Sequence, residues 1–221
     1  MTKRENKELS CVDCGMLGCE AGNECYPDFC LTTELDNKDM EAVFKLYDSD
    51  EKIKRIALAA SEVEAAFYCK YTRVQEILEF SKRIGVKKMG IATCFGLIEE
   101  SRIFARIARL NGYEVYGVAC KVGSVEKSSI GIGEEYIRKP KERMCNPILQ
   151  AKLLNKHRTD INVVIGLCVG HDSLFYKYSK AICTTLITKD RVLGHNPVAA
   201  LYTAKTYYKK LFEENNSNNI A

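Results

Sequence analysis

The chain has 221 residues and a formal net charge of +4, with Lys and Arg spread along its length, so its charge gives no indication of a nucleic-acid partner. No apolar stretch reaches the roughly 20 residues that cross a bilayer, and residues 1–10 lack the apolar segment of a signal peptide. These features predict a cytoplasmic protein without a membrane partner. The length predicts one core-forming domain with a small appendage.

The cysteine content is high for such a protein, at eleven residues. Disulfides are disfavoured in a reducing cytoplasm, so clustered cysteines there indicate a metal site, an iron–sulfur cluster or catalysis. The odd number also argues against a complete disulfide framework.

Residues 1–35 contain a cluster of five cysteines: Cys11, Cys14, Cys19, Cys25 and Cys30. The first two form a C-x-x-C pair, which can chelate one ion through a tight turn. Few large apolar residues accompany the cluster, so metal ligation would supply the stability that packing cannot. Zinc needs four ligands of this kind, and an iron–sulfur cluster is the alternative. We therefore predict a cysteine-rich metal-binding knuckle over residues 1–35.

Residues 36–84 are predicted to be helical, because from Ile53 onward apolar residues recur with the period of an α-helix. Thr72 and Gln75 form a plausible capping box for a helix that begins at residue 73. Gly85 is a suitable residue for ending that helix.

Residues 87–212 alternate between apolar strands and helical segments, which is typical of βα units. The first two strands end at Cys94 and Cys120, and a third apolar run ends shortly before Cys168. We predict an α/β fold with a mainly parallel sheet of about four strands and flanking helices, layered as in Rossmann-like and flavodoxin-like proteins. The fourth strand is predicted at residues 182–188, and residues 213–221 are predicted to be a disordered tail.

Two helix starts in this region follow the same order of residues. Cys145 precedes Asn-Pro, a strong N-cap followed by a residue suited to the first helical position. His195 precedes a second Asn-Pro, which predicts the same local geometry and a last helix over residues 198–212. The connection 121–144 is unusually long and is predicted to be a lid, a binding loop or disordered. A charged turn at residues 189–191 is either solvated, as is common, or an anion or substrate contact.

Carboxyl ends of parallel strands meet at one edge of the sheet, so the core cysteines are expected to converge there. In the first interpretation the ligands of zinc or an iron–sulfur cluster are Cys94, Cys120, Cys145 and Cys168, with His171 or His195 as a further ligand or proton relay. In the second, Cys94 is a nucleophile at a strand-to-helix turn that lowers its pKa, and His171 or His195 is the base. In the third, the thiols only fill the core.

Several motifs together resemble a known family: CVDCG, YPDFC, GIATCFGL, MCNPILQA, GLCVGHDSLF and KDRVLGHNP. They are similar to those of cysteine-rich proteins of unknown function that are labelled "metal-binding protein" in anaerobic bacteria. The similarity spans residues 10–205. The resemblance implies metal binding, but it implies no reaction or substrate. The positions that its motifs share with this chain are Cys11, Cys14, Cys94, Cys120, Cys145, Cys168, His171 and His195.

The leading hypothesis is a metal-binding protein, with zinc or an iron–sulfur cluster at a thiolate-rich sheet edge and a role in redox chemistry or in sulfur or metal handling. Its expected partners are the metal ion and a small-molecule or protein redox partner, and a homo-oligomer is compatible with the sequence. The alternatives are a cysteine-dependent hydrolase or transferase, with Cys94 and His171 as catalytic residues, and a non-catalytic interaction module.

Overall fold

The computed structural model describes residues 8–213 and divides the chain into two compact units, Met1–Leu58 and Ala59–Ala221. The boundary between these units lies inside a helix, α4 (Glu51–Phe67). Within residues 8–213 no helix has both the length and the apolar character needed to span a membrane.

The first unit is made of short helices and turns. It contains a 3-10 turn at Cys11–Asp13 and three helices before α4: α1 (Gly18–Ala21), α2 (Leu31–Glu34) and α3 (Asn37–Ser49). Asp36 caps α3, because its side chain accepts a hydrogen bond from the Lys38 amide at 2.9 Å. Gly18 is the buried residue of α1, whereas α2 and α3 bury none. Packing therefore contributes little to the stability of these three helices.

The second unit contains a sheet of four strands: β1 (Lys88–Thr93), β2 (Glu114–Ala119), β3 (Ile161–Ile165) and β4 (Ile182–Ile187). The strands are all parallel and lie in the order β2-β1-β3-β4. The helices that follow α4 are α5 (Arg73–Arg83), α6 (Ile98–Leu110), α7 (Pro147–Lys156), α8 (His171–Tyr178) and α9 (Val198–Tyr202). The predicted α/β class with a parallel four-stranded sheet is confirmed.

Helices cover both faces of the sheet, which accounts for its buried central strands. Met89 and Ile91 of β1 pack in one cluster with side chains of α5 and α6. Ala92 and Cys94, displaced by one residue, pack in a second cluster with Ala151 of α7. Since successive residues of a strand point to opposite faces, this alternation places Cys94 on the α7 side of the sheet.

The predicted helix signals act as expected in three places. Thr72 and Gln75 form a reciprocal capping box at the start of α5. Gly85 follows α5 with φ +80°, a backbone conformation that favours glycine. Asn146 caps α7 by accepting a hydrogen bond from the Leu149 amide at 3.1 Å, and proline occupies the first helical position.

The last predicted helix begins at Val198 as expected, but its predicted extent is wrong. Only Val198–Tyr202 is α-helical, followed by turns and a 3-10 segment at Lys209–Phe212. The N-cap residue of α9 is Pro197, so the geometry around Cys145 is not repeated at His195. His195 has φ +67° within a turn, and α9 buries no side chain that would stabilise a longer helix. Most of the predicted tail, residues 214–221, lies outside the described residues.

The connection 121–144 is ordered rather than disordered. Two 3-10 turns and an antiparallel bridge between Glu126 and Arg143 structure it. Glu142, whose side chain is 5 % exposed, accepts from Lys127 at 2.9 Å and from Arg138 at 2.6 Å. Arg138 and Lys127 lower the pKa of Glu142 to about 2, so its carboxylate stays charged and anchors the connection.

Candidate functional site

The candidate site lies at the carboxyl edge of the sheet, next to the central strand β1. β1 connects to β2 on one side, and the chain then returns to place β3 on the other side. A reversal of this kind creates a crevice beyond the strand ends, where ligands bind in open α/β sheets. Cys94 directly follows β1 and Cys120 directly follows β2.

Backbone hydrogen bonds continue past the strand ends and fix the positions of these cysteines. The Cys94 amide donates to the Ile165 carbonyl at 3.0 Å, and the Cys120 amide donates to the Thr93 carbonyl at 2.8 Å. The Asn146 amide donates to the Cys120 carbonyl at 2.7 Å. The residue before Asn146 is a third cysteine, so the start of α7 is held against the end of β2.

Glycine permits a close approach of the β1 turn to β3. Gly166 has φ +65°, and a Cβ atom there would lie 2.0 Å from Cδ1 of Leu97. Any larger residue would therefore push the turn after β1 away from β3.

Three thiols and one imidazole lie in succession at this edge: Cys94, Cys120, Cys145 and His171. Cys94 interacts with Cys120, Cys120 with Cys145, and Cys145 with His171. Cys94 and Cys120 are 8 % and 3 % exposed, whereas Cys145 and His171 are half-buried. We refer to these four residues as the thiol row.

The surroundings of Cys94 stabilise its thiolate. A hydrogen bond from the Cys120 thiol is the largest cause that lowers the pKa of Cys94, to about 5, although burial opposes it. The Gly96 amide and the Lys189 ammonium group act in the same direction. Cys94 is therefore ionised at neutral pH.

Cys145 is the second thiolate of the row. Its interactions with Cys120 and then with His171 lower the pKa of Cys145 to about 4 against the effect of burial, and Lys121 adds to them. The Cys145 thiolate in turn raises the pKa of His171, which burial would lower. Cys145 and His171 thus stabilise each other's charged forms.

Cys120 keeps its proton between these two thiolates. Its interactions with Cys145 and Cys94, followed by burial, raise the pKa of Cys120 well above its usual range. The Phe95 amide donates to Cys120 Sγ at 3.3 Å and opposes this shift only in part. The three thiols of the row are therefore a thiolate, a thiol and a thiolate at neutral pH.

Gln150 holds the ends of strands β1 and β2 next to the row, and it was not identified from the sequence. It is fully buried, and its Nε2 donates to the carbonyls of Thr93 at 3.2 Å and Val118 at 2.7 Å. These carbonyls lie just before Cys94 and Cys120. Among the described residues, Gln150 Oε1 and His171 Nδ1 have no hydrogen-bond partner. A glutamine on the buried face of α7 is the only signal in the sequence that could have identified this residue.

Two of the predicted ligands take part in other contacts. Arg191 Nη2 donates to Cys168 Sγ at 2.9 Å. His195 Nδ1 accepts from the Asp190 amide at 3.2 Å within its own turn. His171 interacts with the thiol of Cys145. The nucleophile interpretation had instead proposed His171 as a base for Cys94.

The five cysteines of the first unit are free thiols, either exposed or half-exposed. Across residues 8–213, no group of three or more His, Cys, Asp or Glu side chains is arranged to hold a metal ion. The predicted N-terminal knuckle is therefore not confirmed. The thiol row has the soft sulfur and imidazole donors that suit zinc or iron. Its four side chains follow one another, however, and do not surround a single position where a metal ion could bind.

Three cations lie next to the thiols: Lys121, Lys189 and Arg191. Lys121 was not predicted, and the other two were considered only as an alternative to a solvated turn. Lys121 acts on Cys145, Lys189 acts on Cys94, and Arg191 acts on Cys168. The charged turn at residues 189–191 was the sequence signal for two of them, but a charged turn after a strand is usually solvated.

No solved structure matches the chain. An uncharacterized protein of Methanocaldococcus jannaschii is 43% identical over 205 residues, which cover 93% of this chain and 99% of that protein. The family model described as "Protein of unknown function (DUF1847)" matches residues 30–186, and the chain therefore belongs to this family.

Proposed function

We propose that the thiol row is a redox centre that exchanges electrons with a disulfide substrate. The observation that carries the proposal is the sequence of contacts from Cys94 through Cys120 to Cys145 and His171. Thiolates are the nucleophiles of thiol–disulfide exchange. A thiolate beside a thiol provides both the attacking and the resolving sulfur.

The reaction begins when the Cys94 thiolate attacks one sulfur of a disulfide RSSR. The S–S bond of RSSR breaks, one RS⁻ leaves, and Cys94 forms a mixed disulfide with the other half. Cys120 then passes its proton to the Cys145 thiolate and attacks Cys94 Sγ, which releases the second RS⁻. RSSR gains two electrons, and Cys94 and Cys120 lose two as they form a disulfide. His171 holds the Cys145 side chain that receives the proton.

The backbone supports a bond between Cys94 and Cys120. The two residues follow Thr93 and Ala119, which are register partners in the neighbouring parallel strands β1 and β2. Adjacent strands lie about 5 Å apart, within the Cα separation that disulfides span.

The test is to map the disulfide after one equivalent of bis(2-hydroxyethyl) disulfide is added to the full, oxygen-free protein. Remaining thiols are trapped with N-ethylmaleimide, and peptides are identified by mass spectrometry. We expect a Cys94–Cys120 linked peptide and a Cys145 peptide that carries the maleimide.

The matched variants are Cys120→Ala and Cys183→Ala, since Cys183 is a half-buried thiol outside the row. In Cys120→Ala the reaction is expected to stop at the mixed disulfide on Cys94, because the resolving thiol is missing. Cys183→Ala is expected to form the Cys94–Cys120 disulfide like the unchanged protein. Free Cys94 and Cys120 after full consumption of the reagent would contradict the proposal.

A second candidate is binding of a soft metal, because the row offers three sulfur donors and one imidazole nitrogen, a donor set used for zinc. The side chains are not grouped around one position in their present arrangement, so we derive no step that uses a metal. The N-terminal cysteines Cys11, Cys14, Cys19, Cys25 and Cys30 stay a predicted site for zinc or an iron–sulfur cluster.

Elemental analysis and visible absorption of protein purified without oxygen and without a metal-binding tag test the metal candidate. Stoichiometric zinc, or iron with acid-labile sulfide, would support it. Loss of that metal in Cys145→Ser would assign it to the row, and loss in Cys14→Ser would assign it to the first unit. Protein that is free of metal, and that does not take up zinc or iron on reconstitution, would contradict this candidate.

A further inference from the structure

Two cations, Lys189 and Arg191, lie next to thiols of the sheet edge, on the segment that follows β4. A Cβ atom placed on Gly96 would lie 3.4 Å from Lys189 Nζ and 3.9 Å from Cys94 Sγ. The ammonium group and the first thiol of the row therefore border the same small space. Arg191, two residues further along, donates from Nη2 to Cys168 Sγ at 2.9 Å.

Within the described residues, these two cations lack a carboxylate partner, unlike the cations of the connection 121–144 that form ion pairs. Arg138 and Lys127 are paired with Glu142, and Arg143 is paired with Glu126. By contrast, in the part of the chain that the structure describes, neither Lys189 nor Arg191 forms a salt bridge.

The carboxylate between them does not neutralise them directly. Asp190 Oδ1 accepts from the amides of Val192 at 2.9 Å and Leu193 at 2.8 Å. This oxygen is used to shape the turn. Arg191 is exposed, and its guanidinium has five donors, so it can bind a further acceptor while it contacts Cys168.

The accessibility of the thiols limits the size of a substrate. Cys94 is 8 % exposed and Cys120 is 3 % exposed, so only a narrow molecule can bring a sulfur atom to Cys94. Phe95 beside it is 66 % exposed and offers an apolar wall. A folded protein with its disulfide in a surface loop would not reach this depth without opening the site.

We propose that the substrate is a small disulfide with a negatively charged group, and that Lys189 and Arg191 bind this group while Cys94 attacks a sulfur atom. This proposal rests on the proposed redox function for the reaction, but the selection of anions is a property of the site alone. Charge-assisted hydrogen bonds to a carboxylate or sulfonate suit both side chains, and the planar guanidinium can bind such a group through two donors.

The first experiment measures anion selection without any disulfide chemistry. Alkylation of Cys94 in the full protein is followed by peptide mass spectrometry with iodoacetate, an anion, and with iodoacetamide, its neutral counterpart. The rate ratio of the two reagents is divided by the same ratio for a small thiol in the same buffer. We expect the normalised ratio of the iodoacetate rate to the iodoacetamide rate to be about ten, because a charge-assisted contact favours the anion.

The matched variants are Arg191→Gln and Lys189→Gln, with Lys87→Gln as the control. Lys87 is exposed and precedes β1, at the opposite edge of the sheet. Arg191→Gln and Lys189→Gln are expected to lower the normalised ratio severalfold, even where a changed thiol pKa alters both absolute rates. Lys87→Gln is expected to keep it. A normalised ratio of one in the unchanged protein, or one that neither site variant lowers, would overturn the proposal.

A second experiment compares disulfides of similar size and different charge. Bis(2-sulfoethyl) disulfide is anionic, bis(2-hydroxyethyl) disulfide is neutral and cystamine is cationic. We expect the rate of mixed-disulfide formation at Cys94 to fall in that order, and to lose this order in Arg191→Gln. If alkylation selects anions but no disulfide compound reacts, the redox function fails while the anion site stands. If all three disulfides react equally, the redox function stands and the anion site fails.

Discussion

The chain places cysteines in two regions with contrasting surroundings. In the first unit, Cys11, Cys19 and Cys25 are exposed on short helices and turns that bury almost no side chains. At the sheet edge, Cys94 and Cys120 are buried and interact with each other. Residue type is the same in both regions, but charge, burial and neighbouring thiols differ.

This difference shows how a fold converts an ordinary thiol into a reactive one. A thiol is activated when neighbouring donors and cations stabilise its charged form. The sheet supplies such neighbours to Cys94, because parallel strands and the ends of helices converge at one edge. In the first unit burial opposes ionisation of Cys30, but hydrogen bonds from Thr32 and Thr33 still lower the pKa of this thiol. No neighbouring thiol contributes to that shift, so stronger activation there would have to come from a bound metal.

The largest expected effect is a difference in labelling rate between the regions. With a bulky maleimide and the native protein, Cys11 and Cys19 are expected to react on the order of a hundredfold faster than Cys120, whose exposed fraction is 3 %. Cys120 becomes accessible only when the sheet edge opens. Timed labelling and peptide mass spectrometry measure both rates. Equal rates would show that Cys120 is no less accessible than the thiols of the first unit.

The pH dependence of alkylation separates Cys94 from an ordinary thiol. Only the thiolate reacts, and the Cys120 hydrogen bond lowers the pKa of Cys94 to about 5. Between about pH 8 and about pH 6, the rate at Cys94 is therefore expected to change little, whereas the rate for a thiol with pKa ~8.5 falls roughly seventyfold. Iodoacetamide kinetics on native protein and on protein in denaturant provide the comparison. A native rate that falls as steeply as the unfolded one would show that Cys94 is not activated.

Removal of the support beneath the row tests whether the site depends on Gln150. Gln150→Leu leaves the carbonyls of Thr93 and Val118 without this donor, so a loss of about 2 kcal/mol in the free energy of unfolding is expected. Urea denaturation measures the loss. The control is Lys152→Gln on the exposed face of the same helix, for which a change below about 0.5 kcal/mol is expected. Equal effects of both variants would contradict the role of Gln150.

The smallest expected effect comes from the imidazole at the end of the row. In His171→Ala the Cys145 thiolate loses an opposite charge, so its pKa is expected to rise by roughly one unit. Iodoacetamide titration of Cys145 with pH measures the shift. His157→Ala removes a histidine that stacks on Tyr116 and is expected to leave the Cys145 titration unchanged. An unchanged Cys145 titration in His171→Ala would show that the pair does not form.

Much of the fold follows from local patterns in the sequence. Apolar runs that end at Cys94 and Cys120 predict strands of the parallel sheet, and the Asn-Pro after Cys145 predicts the start of α7. After His195 the same signal is followed by a helix that begins at Val198, as predicted, but ends already at Tyr202 and has no Asn cap. The difference is burial, because α7 packs Ala151 and Leu154 into the core while α9 buries nothing.

The candidate site was predicted in part, and the missing part depends on residues far apart in the chain. That Cys94 and Cys120 end neighbouring strands could be expected from the spacing of βα units. Cys145 and Cys168 were also expected at this edge from the sequence. The contact between Cys168 and Arg191 could not be expected, since it depends on where the segment after β4 lies in space.

The sequence by itself determined the type of each residue, the period of its strands and helices, and the concentration of thiols near strand ends. These are local properties, set by the spacing of apolar residues and by capping residues. Only the tertiary structure decided which thiol meets which neighbour. Burial and Coulomb interactions act over a few ångströms of space, whatever the separation along the chain, and they make Cys94 and Cys145 thiolates while Cys120 keeps its proton.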